Sequence, residues 1–440
     1  MFWRIIYNIL IVPAVKILIP VIGLFDRKMR RGIEGRKDLF EKFQREISRL
    51  DSRKRDNGNP PRVWFHSSSM GEFEQAKPII AELRKRWANI EIIVSFFSPS
   101  GYDHSRSYRH ADIITYIPFD TPADAKKFIE IMKPTVAIMV RYDVWPNHIW
   151  TLHEMRVPTF IANATLSETT TRALPLLKQF HYGLYNAIDY ILTVSESDVK
   201  MFESFRLDHS IVKSIGDTRY DQVLQRSADA KSRHILPAAV YSGKQALVIG
   251  SSWEDDENVL LPVVQRLIDE HPNLVVILAP HEPNEENLER IEKTMNGRTP
   301  TLRFSLIVDH KDERFILVDS IGILMTLYRY ADIAFVGGSF KQGVHNVLEP
   351  AVYGVPVIVG PKHENSHEAV KLKELGALFV GTNELDLYGT IRSLLENDLK
   401  RTDAGKKALD YVCTNAGATE RFLSYLEKVL ETKESHHSSV

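Results

Sequence analysis

Short runs rich in Val, Ile, Phe and Ala alternate with helical stretches along most of the chain, and they do so in two separate series. This alternation restricts the fold more than any other feature, because strands separated by helical stretches build a parallel sheet with crossover helices. The first series reads as strands at "RVWFHS", "EIIVSFF", "DIITYIPF", "TVAIMV", "PTFIANA" and "YILTVS". The second reads at "QALVIGSS", "NLVVILAP", "FILVD", "ADIAFVGGS" and "VPVIVGP", with helical segments such as "DENVLLPVVQRLIDEH" between them.

Two α/β domains of the Rossmann-like kind are therefore expected, facing one another across a cleft, with ligand-binding loops at the carboxyl ends of the strands. A chain of 440 residues with 44% hydrophobic content fills two such cores easily. The expected division is an anchor at 1–26, an N-terminal domain at 27–225, a C-terminal domain at 226–415, and a last helix and tail at 416–440. The polar stretch "DSRKRDNGNPP" reads as a linker, "DQVLQRSADAKSRHILPAAVYSGK" as the connection between domains, and "KESHHSSV" as a frayed tail.

The first residues carry an apolar run from Ile5 to Phe25, then the basic residues Lys28, Arg30, Arg31, Arg36 and Lys37. The run is about long enough to cross a bilayer, although Lys16, Pro13 and Pro20 interrupt it and also suit an interfacial helix. The basic continuation suits an anionic cytoplasmic leaflet. A net charge of -1 gives no general reason to expect nucleic acid, and the single Cys413 allows no internal disulfide. No Cys/His spacing suggests zinc, and no metal or cofactor is expected.

Polar motifs follow the strands in both halves. In "FHSSSMGEFEQAKPI" a serine and glycine loop leads into a helix whose first acid is Glu72. Ser69 with Glu72 fits a capping box, and the local sequence favours that reading over chemistry. In "ADIAFVGGSFKQGVHNVLEP" a glycine loop carries His345 and Asn346 and feeds a helix start near Leu348 with Glu349, an arrangement suited to phosphate and ribose. In "GSSWEDDE" Ser252 can bond a phosphate, and in "APHEPNEEN" His281 can donate to one. The run Glu254 to Glu257 reads as the acidic first turn of a helix rather than a metal site. Arg141 in "VRYDVWPNH" and Arg219 in "GDTRYD" are candidates to stabilise negative charge, with Asp143 and Asp221 as their ordinary ion-pair partners.

Together, H-S-x-S-x-G-E at His66, W-P-N at Trp145, N-A-x-L-S at Asn163, G-S-S-x-E at Gly250, F-V-G-G-S at Phe335 and H-N-x-L-E at His345 resemble, in this order, the 3-deoxy-D-manno-octulosonic acid (Kdo) transferases. The resemblance implies an inverting GT-B glycosyltransferase. Such an enzyme moves Kdo from CMP-Kdo to a lipid A precursor on the cytoplasmic face of the inner membrane. It implies Glu72 as general base, Arg141 and Arg219 as transition-state stabilisers, and donor contacts at Pro280, His281, Ile321, Gly322, Ile323, Asn346, Val347, Leu348 and Glu349. It reverses the local preference for Glu72 as a cap alone.

Three positions depart from the family pattern. His281 stands for the arginine of P-R-H-P, Arg141 for an acid before W-P-N, and Ile323 for another acid. The rival readings are a lipid A disaccharide synthase using a UDP-sugar, a sugar-nucleotide epimerase, and a non-catalytic sugar-nucleotide or lipid-binding protein.

Overall fold

The computed structural model describes residues 2–53, 60–167, 170–295 and 299–437. Residues 54–59 of the expected linker and 438–440 of the expected tail lie outside the described residues. The chain divides into two compact units, one built from Met1–Gln222 with Ala416–Val440 and the other from Val223–Asn415.

Unit 1 holds strands β1 (Arg62–Ser67), β2 (Glu91–Phe96), β3 (Ile113–Tyr116), β4 (Val136–Val140), β5 (Thr159–Ala164), β6 (Tyr190–Thr193) and β7 (Ile211–Ser214). Their order is β3-β2-β1-β4-β5-β6-β7 and every pairing is parallel. Strand order therefore reverses between β1 and β4, and in an open parallel sheet the loops beyond that point form the ligand crevice. Glu72 follows β1, and Arg141 follows β4.

Unit 2 holds β8 (Gln245–Ser252), β9 (Leu274–Pro280), β10 (Thr301–Arg303), β11 (Phe315–Leu317), β12 (Ile333–Val336), β13 (Val357–Val359) and β14 (Leu378–Val380). The order is β10-β11-β9-β8-β12-β13-β14, again parallel, with the reversal between β8 and β12. The loops there carry Ser252 and Gly337 to His345.

The core of each sheet follows from strands buried on both faces. In β1 all six residues are buried; Val63 and Phe65 join one apolar cluster and Trp64 another. The last helix, Ala418–His437, is not a separate element. Its Phe422, Leu423, Leu426 and Leu430 pack into the cluster of Phe65, Phe73 and Phe160 in unit 1. Each such side chain contributes on the order of 1.5–3 kcal/mol. The helix also continues through most of the stretch read as a frayed tail.

Near the N-terminus, Phe2–Phe25 forms one helical stretch with a mean hydropathy of 2.3 and little of its surface buried. A π-helical turn occupies Tyr7–Ile11. The stretch is long and apolar enough to cross a membrane. One side of its first turns is tied to unit 1: Tyr7 donates to Asp120 at 2.8 Å, Asn8 to Asn147 at 3.1 Å, and Arg4 pairs with Glu154. The outer side exposes Leu10, Ile17, Leu24 and Phe25. The next helix, Arg27–Gly35, turns back and packs on it.

Candidate active site

In unit 1, β1 ends in Ser67, and Ser69 opens the helix Met70–Arg86 from an extended backbone. Glu72 Oε2 accepts from both the Ser69 backbone N–H and its hydroxyl, each at 2.7 Å, so the capping expectation holds in geometry. The carboxylate is nevertheless only partly used. Its second oxygen, Oε1, has no hydrogen-bond partner among the described residues, and the side chain is 8% exposed. An anchored carboxylate with one free oxygen at a sheet's reversal point can both cap a helix and take a proton.

The expected ion pairs are replaced by others. Asp143 turns to His66, whose Nε2 lies 2.9 Å away, rather than to Arg141. Trp64 donates to Ser95 Oγ, which lies 2.8 Å from His66 Nδ1, and Trp145 donates to His66 Nε2 at 2.9 Å, so the ring is held from both sides. Burial raises the Asp143 pKa, but His66, Ser68 and Trp145 outweigh it and hold the carboxyl below its ordinary value. Arg141 has a left-handed backbone at φ 65°, and its buried Nε has no partner, an orphan donor at the end of β4. Such a group is suited to meeting an anionic ligand.

Arg219 pairs with Asp217 at 2.7 Å instead of Asp221, which accepts from the backbone N–H groups of Gly417 and Thr419 and so secures the last helix. Asp217 precedes the helix Thr218–Lys231, whereas Asp221 lies within it two positions beyond Arg219, where side chains on a helix do not face each other. Asn163 links the two candidate catalytic elements: its amide donates to Thr218 and to Gln75, one helical turn beyond Glu72. The Thr218 hydroxyl donates to the Gln75 carbonyl at 2.7 Å. Sequence reading placed Asn163 only inside a family string and missed its positioning role; its positive φ of 52° is set by tertiary contacts.

In unit 2 the glycine loop is organised by an unexpected residue. Asp256, fully buried, accepts from the backbone N–H groups of Trp253, Gly338 and Phe340 at 2.9, 2.7 and 3.1 Å. Burial raises its pKa, and these three bonds oppose that rise. The acidic turn thus supplies an anchor for the loop, which the sequence pattern alone did not reveal. Gly337 is required here, since a Cβ would stand 2.3 Å from the Ser251 carbonyl oxygen.

Ser252 does not present its hydroxyl to a phosphate. It donates to Glu257 at 2.7 Å, and Glu257 is also paired with Arg290. Trp253 donates to His345 Nε2 at 2.9 Å, and the exposed His281 ring stacks on both, 4.5 Å from Trp253 and 4.6 Å from His345. Burial and the neighbouring His281 lower the His345 pKa. Pro280 ends β9 just before this stack.

Asn346 Oδ1 accepts from Leu348 N, and Val347 and Leu348 are buried. The helix starts at Leu348, as expected, and is short, Leu348–Ala351, so individual N–H groups rather than a long helix dipole are available there. Glu349 accepts from Arg226 at 3.2 Å. Ile321 is 85% exposed beside Gly322, whose φ is 87°, with Ile323 partly buried behind them. Among the described residues no three His, Cys, Asp or Glu side chains converge as a metal ion requires.

Two parallel sheets with reversal-point loops of this kind are an architecture that GT-B glycosyltransferases share with sugar-nucleotide epimerases. The model "Glycosyl transferases group 1" matches residues 313–410, and "3-Deoxy-D-manno-octulosonic-acid transferase" matches residues 38–222. The 3-deoxy-D-manno-octulosonic acid transferase of Haemophilus influenzae is 27% identical over 98% of this chain and 99% of its own length. That of Aquifex aeolicus is 28% identical over 76% of this chain and 86% of its own. The chain is similar to 3-deoxy-D-manno-octulosonic acid transferases over nearly its whole length. A solved UDP-GlcNAc 2-epimerase from Neisseria meningitidis bound to UDP-GlcNAc shares the fold, with a TM-score of 0.58 at 15% identity over 83% of this chain and all of its own. At that identity the likeness reaches the architecture and not the epimerase chemistry.

Proposed function

We propose that this protein transfers Kdo from CMP-Kdo to a lipid A precursor, lipid IVA, at the cytoplasmic face of the inner membrane, in the assembly of the lipopolysaccharide core. The observation that carries the reading is Glu72, fixed at the reversal point of unit 1 by Ser69 with Oε1 unpaired. The relatives' printed activity and the apolar helix support the donor sugar and the membrane setting.

In this mechanism an acceptor hydroxyl gives its proton to Glu72 Oε1 while its oxygen bonds to the anomeric carbon of Kdo. The bond from that carbon to the CMP phosphate oxygen breaks with inversion, and CMP leaves with the electron pair. Arg141, with its orphan Nε–H, and Arg219, partly neutralised by Asp217, balance charge in the transition state. Unit 2 holds CMP through His281, His345, Asn346 and the loop that Asp256 anchors. No metal or cofactor takes part. Arg27, Lys28, Arg30 and Arg31, all exposed beside Phe25, meet anionic headgroups.

The test is incubation of the membrane-bound protein with CMP-Kdo and lipid IVA, followed by mass spectrometry of the lipid. A mass gain of one or more Kdo units is expected. No gain, with a UDP-sugar consumed instead, overturns the reading in favour of a disaccharide synthase.

A further inference from the structure

A cavity of about 330 Å³ lies in unit 1 between the N-terminal helix and the sheet, lined by Val12, Val15, Ile19, Phe97, Phe119 and Trp145, with Lys16 also on its wall. The helix spans it like a bridge. Residues 4 to 8 are fixed by hydrogen bonds at one end, and at the other Gly23 packs so closely on Ile33 that a Cβ would stand 2.8 Å from it. The inner walls are braced by Arg36, whose guanidinium lies 4.8 Å from the Phe97 ring and 5.0 Å from Phe119 and donates to the carbonyls of Phe97 and Ile117. Burial lowers the Arg36 pKa to about 10. Arginine is therefore spent on shape here, and the cavity surface stays apolar.

We infer that this cavity takes one fatty acyl chain of the lipid acceptor, an inference that rests on the function proposed above. Three observations select that occupant. The helix roofing the cavity exposes Leu10, Ile17, Leu18 and Leu24 on its other side, so the surrounding medium is one that solvates hydrocarbon. The volume is at the lower end of small-molecule sites, roughly 300–1,000 Å³, and suits a single chain rather than a whole lipid.

The inner wall also adjoins the loop of the proposed base. Trp145 lies 2.9 Å from His66 on β1, and Ser98, next to Phe97, donates to the Ser68 carbonyl at 2.8 Å. A chain held against Phe97 and Trp145 places its headgroup by the Ser67–Glu72 loop. Lys16 supplies a cation complementary to a phosphate-bearing headgroup. The site thus orients the acceptor by its tail, as binding energy from a remote part of a substrate can do for the reacting centre.

The test uses the full-length protein in bilayers with two photoreactive probes: lipid IVA carrying a diazirine in one acyl chain, and phosphatidylethanolamine carrying the same group. The expected result is labelling of Val12, Ile19 or Phe97 by the first probe, displaced by excess unlabelled acceptor and not by excess phospholipid. Labelling by the phospholipid that the acceptor does not displace overturns the inference.

A second arm compares Ile19→Trp, which fills the cavity, with the outward Ile17→Trp. The first should raise KM for the acylated acceptor roughly tenfold, about what two buried methylenes contribute, and leave kcat unchanged. KM for a de-acylated acceptor should not move, and Ile17→Trp should match the wild type. Equal effects on both acceptors, or none on either, overturn the inference. Failure of the wild type to transfer Kdo to either acceptor sinks the proposed function instead, while labelling still reports on the cavity.

Discussion

The two units share a plan, a seven-stranded parallel sheet with loops at its reversal point, but they use those loops differently. In unit 1 the loop after β1 ends in a side chain with a free oxygen, and the polar groups around it have fixed partners, Asp143 beside His66 and Arg219 with Asp217. In unit 2 the acids are turned inward. Asp256 holds backbone N–H groups, Glu257 holds Ser252 and Arg290, and what remains outward is a stack of two imidazoles and an indole. The proposed function asks the first unit to move a proton and the second to hold a nucleotide. The same fold serves both because the sheet fixes where the loops emerge and leaves their chemistry free.

The largest effect that can break this comparison is on rate. Glu72→Gln keeps an acceptor for the Ser69 cap but loses the proton acceptor, so kcat should fall roughly 10²–10⁴-fold. CMP affinity, measured by calorimetry, should stay as in the wild type. An unchanged kcat would remove unit 1 from the chemistry.

Asp256→Ala should act on the other unit. Three backbone donors lose a charged acceptor, costing on the order of 3 kcal/mol locally and roughly tenfold in CMP affinity. Amide exchange of the Gly337–Val344 loop should quicken while that of the Ser67–Glu72 loop does not. Equal quickening in both would show that the loops are not independent.

The smallest effect concerns pH. The folded pKa of Asp143 is depressed, so its pairing stabilises unit 1 above about pH 3.9, the ordinary carboxylate value, and that stabilisation is lost as pH falls through the lower folded value. Asp143→Asn should cost about 2 kcal/mol at pH 7, less than a fully buried pair because the side chain keeps 14% exposure. In denaturant melts the two proteins should converge in acid. Curves that stay parallel down to pH 2 would show that the pairing carries no stability.

Much of this was legible before the structure. Eleven strands of the two series appear at or near the expected places, and the motifs fall in loops at their carboxyl ends. The strands that escaped notice, β7, β10 and β14, are edge strands of three or four residues, and Ile211–Ser214 has no buried residue at all. An edge strand covered on fewer sides needs less apolar character, so its pattern resembles a loop.

What the sequence by itself determined is the doubled α/β series, the apolar and basic entry to the chain, and which loops hold polar residues. Periodicity and turn composition act over a few residues, and a linear reading captures them. Only the tertiary structure decided partners: Asp143 with His66, Arg219 with Asp217, Ser252 turned to Glu257, and Asn163 bridging to Gln75 and Thr218. A charged or polar group takes the partner that burial brings within about 3 Å, and distance along the chain does not report that. The same holds for Glu72. Its capping box was visible in four residues, but its free oxygen at a reversal point exists only once β1 and β4 lie side by side.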